Sequence, residues 1–201
     1  MKYSYDLFNK INIEGDFNEL WAKTQIPGMF IAQNKEEFRT LCYKVAEIKP
    51  KIIVEIGTHM GGTTYLFRKL FPNAKIISID MQQDFLGQIP QAYYNLLLKL
   101  LGVDVLIRGN SHDNSTFQSL VDTLGGLWID FLFIDGDHTY KGVKQDHQMY
   151  GKFVRPEGLI AFHDVVKGPK HIECDKYWRE LNTGIQISYE KDRMGIGIIK
   201  V

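Results

Sequence analysis

The chain has no excess of charge of either sign: 24 Lys and Arg stand against 24 Asp and Glu. That balance removes the basic surplus by which a dedicated nucleic-acid or anionic-membrane binder is recognised, and neither partner is expected. Cysteine is scarce, with Cys42 and Cys174 the only two in 201 residues and no CxxC between them. A pair spaced so widely reads as two reduced thiols rather than a disulfide framework, and predicts a cytoplasmic protein. The opening MKYSYDLFNKINIEGD has polar and acidic residues where a signal peptide needs an apolar stretch, and no apolar run is long enough to span a bilayer. Neither secretion nor membrane insertion is expected. Internal repeats and low-complexity tracts are also missing.

What is present is ample core. At 44% hydrophobic residues the chain suits one compact domain, because surface scaling has folding bury about 70% of the unfolded surface at this size without disulfide or metal staples. Short β-rich runs occupy 51–56 (KIIVEI), 75–80 (KIISID), 103–108 (VDVLIR), 130–135 (DFLFID) and 158–163 (GLIAFH). They are mostly continuous rather than alternating, as strands buried on both faces are, so all five are expected in central or near-central positions. Helical patterns separate them: Tyr94, Leu97, Leu98 and Leu101 before Gly102, and Phe117, Leu120, Val121 and Leu124 before Gly125. Strands alternating with helices predict a parallel sheet covered on both faces.

Upstream, Asn34 precedes Glu37 by three residues as a capping-box variant, opening a helix whose apolar face is Phe38, Leu41, Cys42, Val45 and Ile48. Downstream, a helix with Tyr177, Trp178 and Leu181 leads to strands over 185–189 and 195–201, joined across the charged turn 190–193 as an antiparallel hairpin. Residues 1–30 mix aromatic and polar residues around a turn at Pro27 and Gly28, and are expected to form a lid or dimer arm.

Ligands of open parallel sheets bind outside the carboxyl ends of the strands, so the polar groups closing each run carry the information. Glu55 lies near the end of the first run, Asp80 ends the second, Asp135 the fourth, and His163 with Asp164 the fifth. One Asp after a strand serves equally as a helix cap, but so many acids on one rim point to a site. The first run feeds Gly57, Thr58, His59, Met60, Gly61, Gly62 and Thr63. GxGxxG fails because His59 replaces its second Gly, and the P-loop fails because Thr63 replaces its Lys. The remaining pattern lets a backbone approach a bulky ligand that offers no phosphate to cradle.

VEIGTHMGGTT followed by IISID resembles the first two motifs of class I S-adenosylmethionine-dependent methyltransferases. LIRGNSHD, LFIDGDHTYKGVKQD and GLIAFHDV, in this order, resemble the branch of cephalosporin-pathway and macrolide-sugar O-methyltransferases, and more distantly catechol O-methyltransferase. The similarity covers about residues 25–200, with IDGDH its most specific part. It implies a Rossmann-like, doubly wound, seven-stranded and mostly parallel α/β sheet with a C-terminal antiparallel hairpin strand, filling a methyltransferase domain over 31–201. It also implies that Glu55, Gly57 and Gly61 line the methionine end of S-adenosylmethionine, with Thr58 also at the cofactor, that Asp80 takes the ribose hydroxyls, and that Ser111 with Asn110 or His112 lies beside the adenine. The ribose role has its own physical basis, since one carboxylate can accept from two vicinal hydroxyls.

Methyl transfer to an alcohol needs the oxygen deprotonated, by a metal that lowers its pKa or by a base. Asp135 and Asp164 close neighbouring runs and offer hard oxygen ligands for Mg²⁺ or Mn²⁺, and by the resemblance His138, three residues after Asp135, is the base. Where the macrolide-sugar relatives pair two acids, this chain has His163 before Asp164, and where catechol enzymes follow the Asp with Asn, it has Val165. His163 is then either a third ligand, shifting preference toward Mn²⁺, Fe²⁺ or Zn²⁺, or a structural histidine at a strand end. Asp135 is expected to serve catalysis, cofactor and metal together.

The expected activity is O-methylation of a hydroxyl on a small molecule such as a sugar or secondary metabolite, by a protein that is a homo-oligomer by resemblance alone. Nucleic-acid methylation is disfavoured: the fourth run ends in IDGD rather than an Asn or Asp with two prolines and an aromatic, and no Pro precedes either Cys. Two other classes stay in view. One is a partner subunit that binds S-adenosylmethionine without turnover; the other is a metal-dependent oxygenase built on His138, His163 and two acids.

Overall fold

A computed structural model describes residues 13–25, 31–81, 91–189 and 194–201. Helix α1 (Ile13–Lys23) and helix α2 (Lys35–Glu47) precede strand β1 (Ile52–Ile56); α3 (Gly62–Leu70) leads to β2 (Lys75–Asp80), and α4 (Gln91–Leu101) to β3 (Val105–Arg108). Helix α5 (Asn114–Leu124), β4 (Ile129–Ile134), α6 (Tyr140–Tyr150), a short 3₁₀ turn, β5 (Val154–His163), α7 (Cys174–Leu181), β6 (Ile185–Ile187) and β7 (Ile196–Lys200) complete the order. The strands form one sheet in the order β3-β2-β1-β4-β5-β7-β6. β1 to β5 pair in parallel, and β7 runs antiparallel between β5 and β6. This is the doubly wound sheet with a C-terminal hairpin that the sequence predicts; the turn at 190–193 and the one at Pro27 and Gly28 lie outside the described residues.

Successive strand residues face opposite sides, so one run feeds two cores. Phe131 and Phe133 of β4 join Phe38, Phe67 and Phe17 on the side of α1, α2 and α3. Leu132 and Ile134 join Leu120, Val143, Tyr150 and Trp178 on the side of α5, α6 and α7. Both faces of β1 and β4 are therefore covered, which is why those runs are continuously apolar. Helix α1 belongs to the first layer: Phe17 is fully buried and stacks on Trp21 at 5.7 Å between ring centroids.

Three expectations need correction. β3 is the edge strand rather than a central one, and Val105, Leu106 and Arg108 are only half-buried. β5 starts at Val154, before the apolar run, because Val154 pairs with Ile129 ahead of a register shift; Asp130 fills that irregularity, accepting from the Lys51 and Ile52 N–H groups at 2.8 Å each and from Arg155 Nε at 2.5 Å. The capping box is half formed. Asn34 Oδ1 accepts from the N–H of Glu36 and Glu37, but the Glu37 carboxylate does not turn back. It is fully buried and accepts from the N–H of Tyr189 at 2.8 Å and of Gly195 at 2.9 Å, tying α2 to the final hairpin. Cys42 and Cys174 are buried free thiols, Trp128 is exposed ahead of β4, and no described helix is long and apolar enough to cross a membrane.

Candidate active site

The strand order reverses between β1 and β4, and a crevice opens at such a switch point because the connecting helices leave on opposite faces. Here a cavity of about 1080 Å³ lies over the carboxyl ends of the strands, large for a single small ligand. At its centre the loops after β1 and β4 touch. Gly57 has φ +89°, and a Cβ there would lie 2.0 Å from the Asp135 carbonyl oxygen, so both the backbone conformation and the close approach demand glycine. The N–H of Gly57 donates to Ile79 O and that of Asp135 to Ile56 O, each at 2.9 Å, fixing the two loops to the sheet.

On one side the cavity is lined by Thr58 and Asp80, with Asn110, Ser111 and His112 from the loop after β3. The Thr58 hydroxyl donates to Ser78 Oγ at 2.6 Å, and Asp80 Oδ2 accepts the N–H of His59 at 2.9 Å. Tyr94 of α4 also lines this side, and its hydroxyl donates to His59 O. Asn110 Oδ1 accepts the His112 N–H at 2.9 Å, and the Tyr150 hydroxyl donates to Ser111 O, so the loop is held from within and from α6.

Glu55 and Gly61 are not among the residues that line this cavity. Glu55 is fully buried behind the first loop, accepting from the hydroxyls of Thr63 and Thr64. Burial pushes its pKa up to about 7 against those two hydrogen bonds, with the Asp135 charge adding to the rise. Gly61 has φ +75° at the start of α3, where a Cβ would run into Leu98 and Leu101; its task is to seat α4.

On the other side stand Asp135, His138, His163 and Asp164. His138 Nδ1 lies 3.0 Å from Asp164 Oδ2, and His163 Nδ1 lies 3.0 Å from Asp135 Oδ1 and 3.6 Å from Asp164 Oδ2. Asp135 Oδ2 accepts from Gln33 Nε2 at 2.7 Å. The His138 carbonyl accepts the N–H of Glu173 at 2.7 Å, which pins the loop between β4 and α6 against the start of α7. Asp164 itself sits at φ +58°, a left-handed conformation that Asp tolerates and that recurs at functional positions.

The charges are strongly interlocked. Burial alone would raise the Asp164 pKa, yet the adjacent rings of His138 and His163 hold it well below the usual carboxylate range. Asp164 raises the His138 pKa against the burial of the ring. For His163, burial pulls down and the charges and hydrogen bonds of Asp135 and Asp164 more than reverse it, pushing the pKa up to about 10. His163, its side chain only 5% exposed, lies between the two carboxylates, beside Asp135 and Asp164. The set whose ligand atoms all lie within 4.8 Å of one another is Asp135, His138 and Asp164. Two carboxylates suit Mg²⁺ or Mn²⁺, and an added imidazole shifts the preference toward Mn²⁺, Fe²⁺ or Zn²⁺.

Sequence reasoning missed Gln33, the cavity role of Tyr94, and Asp146. Asp146 carried a signal: a fully buried carboxylate at helical spacing from the apolar Val143 and Tyr150 of α6.

A family model described as a methyltransferase domain matches residues 54–165. An uncharacterized protein, R132, of Acanthamoeba polyphaga mimivirus is 37% identical over 113 residues, 55% of this chain and 50% of that protein. The chain spans half or less of the length of the curated relatives it matches. Among solved structures, a putative caffeoyl-CoA O-methyltransferase from Staphylococcus aureus superimposes with a TM-score of 0.63 at 18% identity, covering 100% of this chain and 98% of that one. MycE, a methyltransferase of the mycinamycin biosynthetic pathway solved with Mg and SAH, gives 0.55 at 18% identity, over 75% of this chain and 37% of its own. With the matched segment running from within β1 to just past β5 and holding both loops that meet at Gly57 and Asp135, the chain belongs to this methyltransferase domain family and has the fold of the class I S-adenosylmethionine-dependent enzymes.

Proposed function

We propose that the protein is an S-adenosylmethionine-dependent O-methyltransferase, assisted by a divalent metal, that acts on a hydroxyl of a small molecule such as a sugar or secondary metabolite. The observation that carries this reading is the two-ended cavity: Asp80 and the 110–112 loop at one end, the Asp135, His138 and Asp164 cluster at the other. MycE, whose structure contains Mg and SAH, supports the same pairing of cofactor and metal for this chain.

In this reading Asp80, oriented by the His59 N–H, accepts from the ribose hydroxyls, and Asn110, Ser111 and His112 flank the adenine. Gly57 gives the ligand room by keeping its backbone bare. Asp164 receives Nδ1–H of His138, which fixes the tautomer and leaves Nε2 to take the acceptor's hydroxyl proton. The acceptor oxygen forms its bond to the methyl carbon as the sulfur–carbon pair returns to sulfur, giving an ether and S-adenosylhomocysteine. Asp135 and Asp164 would hold the metal, which when bound lowers the pKa of the acceptor hydroxyl. Gln33 donates to one oxygen of Asp135 and His163 lies beside the other, an arrangement that favours one orientation of the carboxylate.

The spacing within 4.8 Å also favours a second reading, in which His138 is itself a ligand and the metal alone activates the oxygen. Calorimetric titration of EDTA-treated protein, first with S-adenosylmethionine and then with Mg²⁺ or Mn²⁺, tests the proposal. Saturable cofactor binding followed by a metal signal lost in Asp135→Ala is the expected result. No cofactor binding rejects the enzyme reading, and full activity in EDTA rejects the metal.

A further inference from the structure

Fully buried acids in this fold mostly have structural tasks. Glu37 accepts from two backbone N–H groups, and Glu55 from two hydroxyls. Asp146 on α6 is equally buried, yet neither of its oxygens makes a hydrogen bond. What faces it is His112: Nε2 lies 3.2 Å from Oδ1, off the ideal hydrogen-bond line. A carboxylate kept from water without a structural return calls for another explanation. Its position supplies one. Asp146 sits beneath the end of β4, where a Cβ at Gly136 would come 3.7 Å from Oδ2, and Tyr150, one turn further along α6, donates to Ser111 O. Helix α6 therefore meets the 110–112 loop at two places, through the Tyr150 hydrogen bond to a backbone carbonyl and through the close approach of Asp146 to His112.

The approach of Asp146 decides which way the imidazole is used. A carboxylate accepts only, so the ring nitrogen turned toward it carries the proton, and in the neutral ring the other nitrogen is left with its lone pair. With Nε2–H turned toward Asp146, Nδ1 keeps its lone pair, and His112 is one of the residues lining the cavity. An exocyclic amine is a donor that satisfies that lone pair, whereas an exocyclic carbonyl in the same place sets two lone pairs against each other.

We propose that Asp146 is a positioning residue for cofactor recognition: by holding Nε2–H of His112 inward it presents bare Nδ1 to the 6-amino group of the adenine, and so selects a 6-amino over a 6-oxo purine. The inference rests on the reading that puts the adenine beside residues 110–112. The Asp146 carboxylate, against the burial of the ring, raises the His112 pKa, and Asp137 and the Gly142 carbonyl add to the rise. A second proton competes with the amine for Nδ1, and binding is therefore best measured at mildly alkaline pH.

The experiment compares S-adenosylhomocysteine with S-inosylhomocysteine by calorimetry on the full chain, for the wild type, Asp146→Ala, His112→Ala and the double variant. The wild type is expected to favour the adenosyl compound by about tenfold or more, the scale of one mismatched polar pair. Each single variant reduces that preference to about threefold or less, and the double variant loses no more than either single one, because both act through one contact. If His112→Ala removes the preference and Asp146→Ala keeps it, the inference is overturned while the adenine placement stands. If both variants keep it, the placement fails and the inference with it; if the wild type binds neither compound, the cofactor reading fails first. Imidazole ¹⁵N shifts of the wild-type complex need no variant to fold: a protonated Nε2 with a bare Nδ1 is the expected pattern, and a proton on Nδ1 overturns the proposal.

Discussion

His138 Nδ1 and Asp164 Oδ2 lie 3.0 Å apart, joining the loop after β4 to the first residue beyond β5. Parallel neighbours bring these positions together because β4 and β5 end in register, with Ile134 paired to Phe162. The pair bears directly on whether His138 acts as base or as ligand.

If His138 is the base, His138→Gln lowers kcat by between about 10²- and 10⁴-fold, the usual worth of general base catalysis. Affinity for Mn²⁺ and for S-adenosylmethionine then stays close to that of the wild type. A loss of Mn²⁺ affinity of about tenfold or more, read by calorimetry on the cofactor-loaded protein, instead assigns the imidazole to the metal.

Asp80→Asn tests the opposite end of the cavity. The carboxylate stands at the end of β2 with one oxygen on the His59 N–H. Losing its charge is expected to raise the Kd for S-adenosylmethionine by about 10- to 100-fold, the range for hydrogen bonds to a charged group. At saturating cofactor, kcat should change little; a kcat effect with unchanged Kd would remove Asp80 from the ribose.

Gly57→Ala tests the contact between the two loops. A Cβ 2.0 Å from the Asp135 carbonyl oxygen at φ +89° forces the loops apart. Stability is expected to fall by about 3 kcal/mol or more, which a shift of the urea midpoint at constant m-value would show. A variant as stable as the wild type would mean that the loops do not meet as described.

Glu55 carries the pH prediction. Its pKa is raised by burial from 4.5 to about 7 in the folded state. Between those values the folded chain holds a proton that the unfolded chain has released, so this group's contribution falls as pH rises through the window and is lost above it. The full swing is on the order of 3 kcal/mol. Glu55→Gln should flatten that part of the stability profile between about pH 5 and 8, and an unchanged slope in urea titrations would contradict the assignment.

The strands and the rim on which their ends lie were legible in the sequence. Continuous apolar runs bounded by turn residues read as buried strands, and in a parallel sheet every strand presents its carboxyl end to one rim, so Asp80, Asp135 and Asp164 could be placed on a common rim without coordinates. Gly57 was legible for a similar local reason. The structure decided whatever depends on register and on contacts between distant segments. β3 lies at the edge because the sheet order ends there. Glu37 faces the hairpin rather than its own helix start because the ends of β6 and β7 bring two N–H groups to it. His163 is held between carboxylates because its ring turns into the sheet beside Asp135. Asp146 meets His112 because α6 passes beneath the loop after β3. Periodicity fixes the face and the end on which a side chain emerges; which partner waits there is set only when the helices and strands pack.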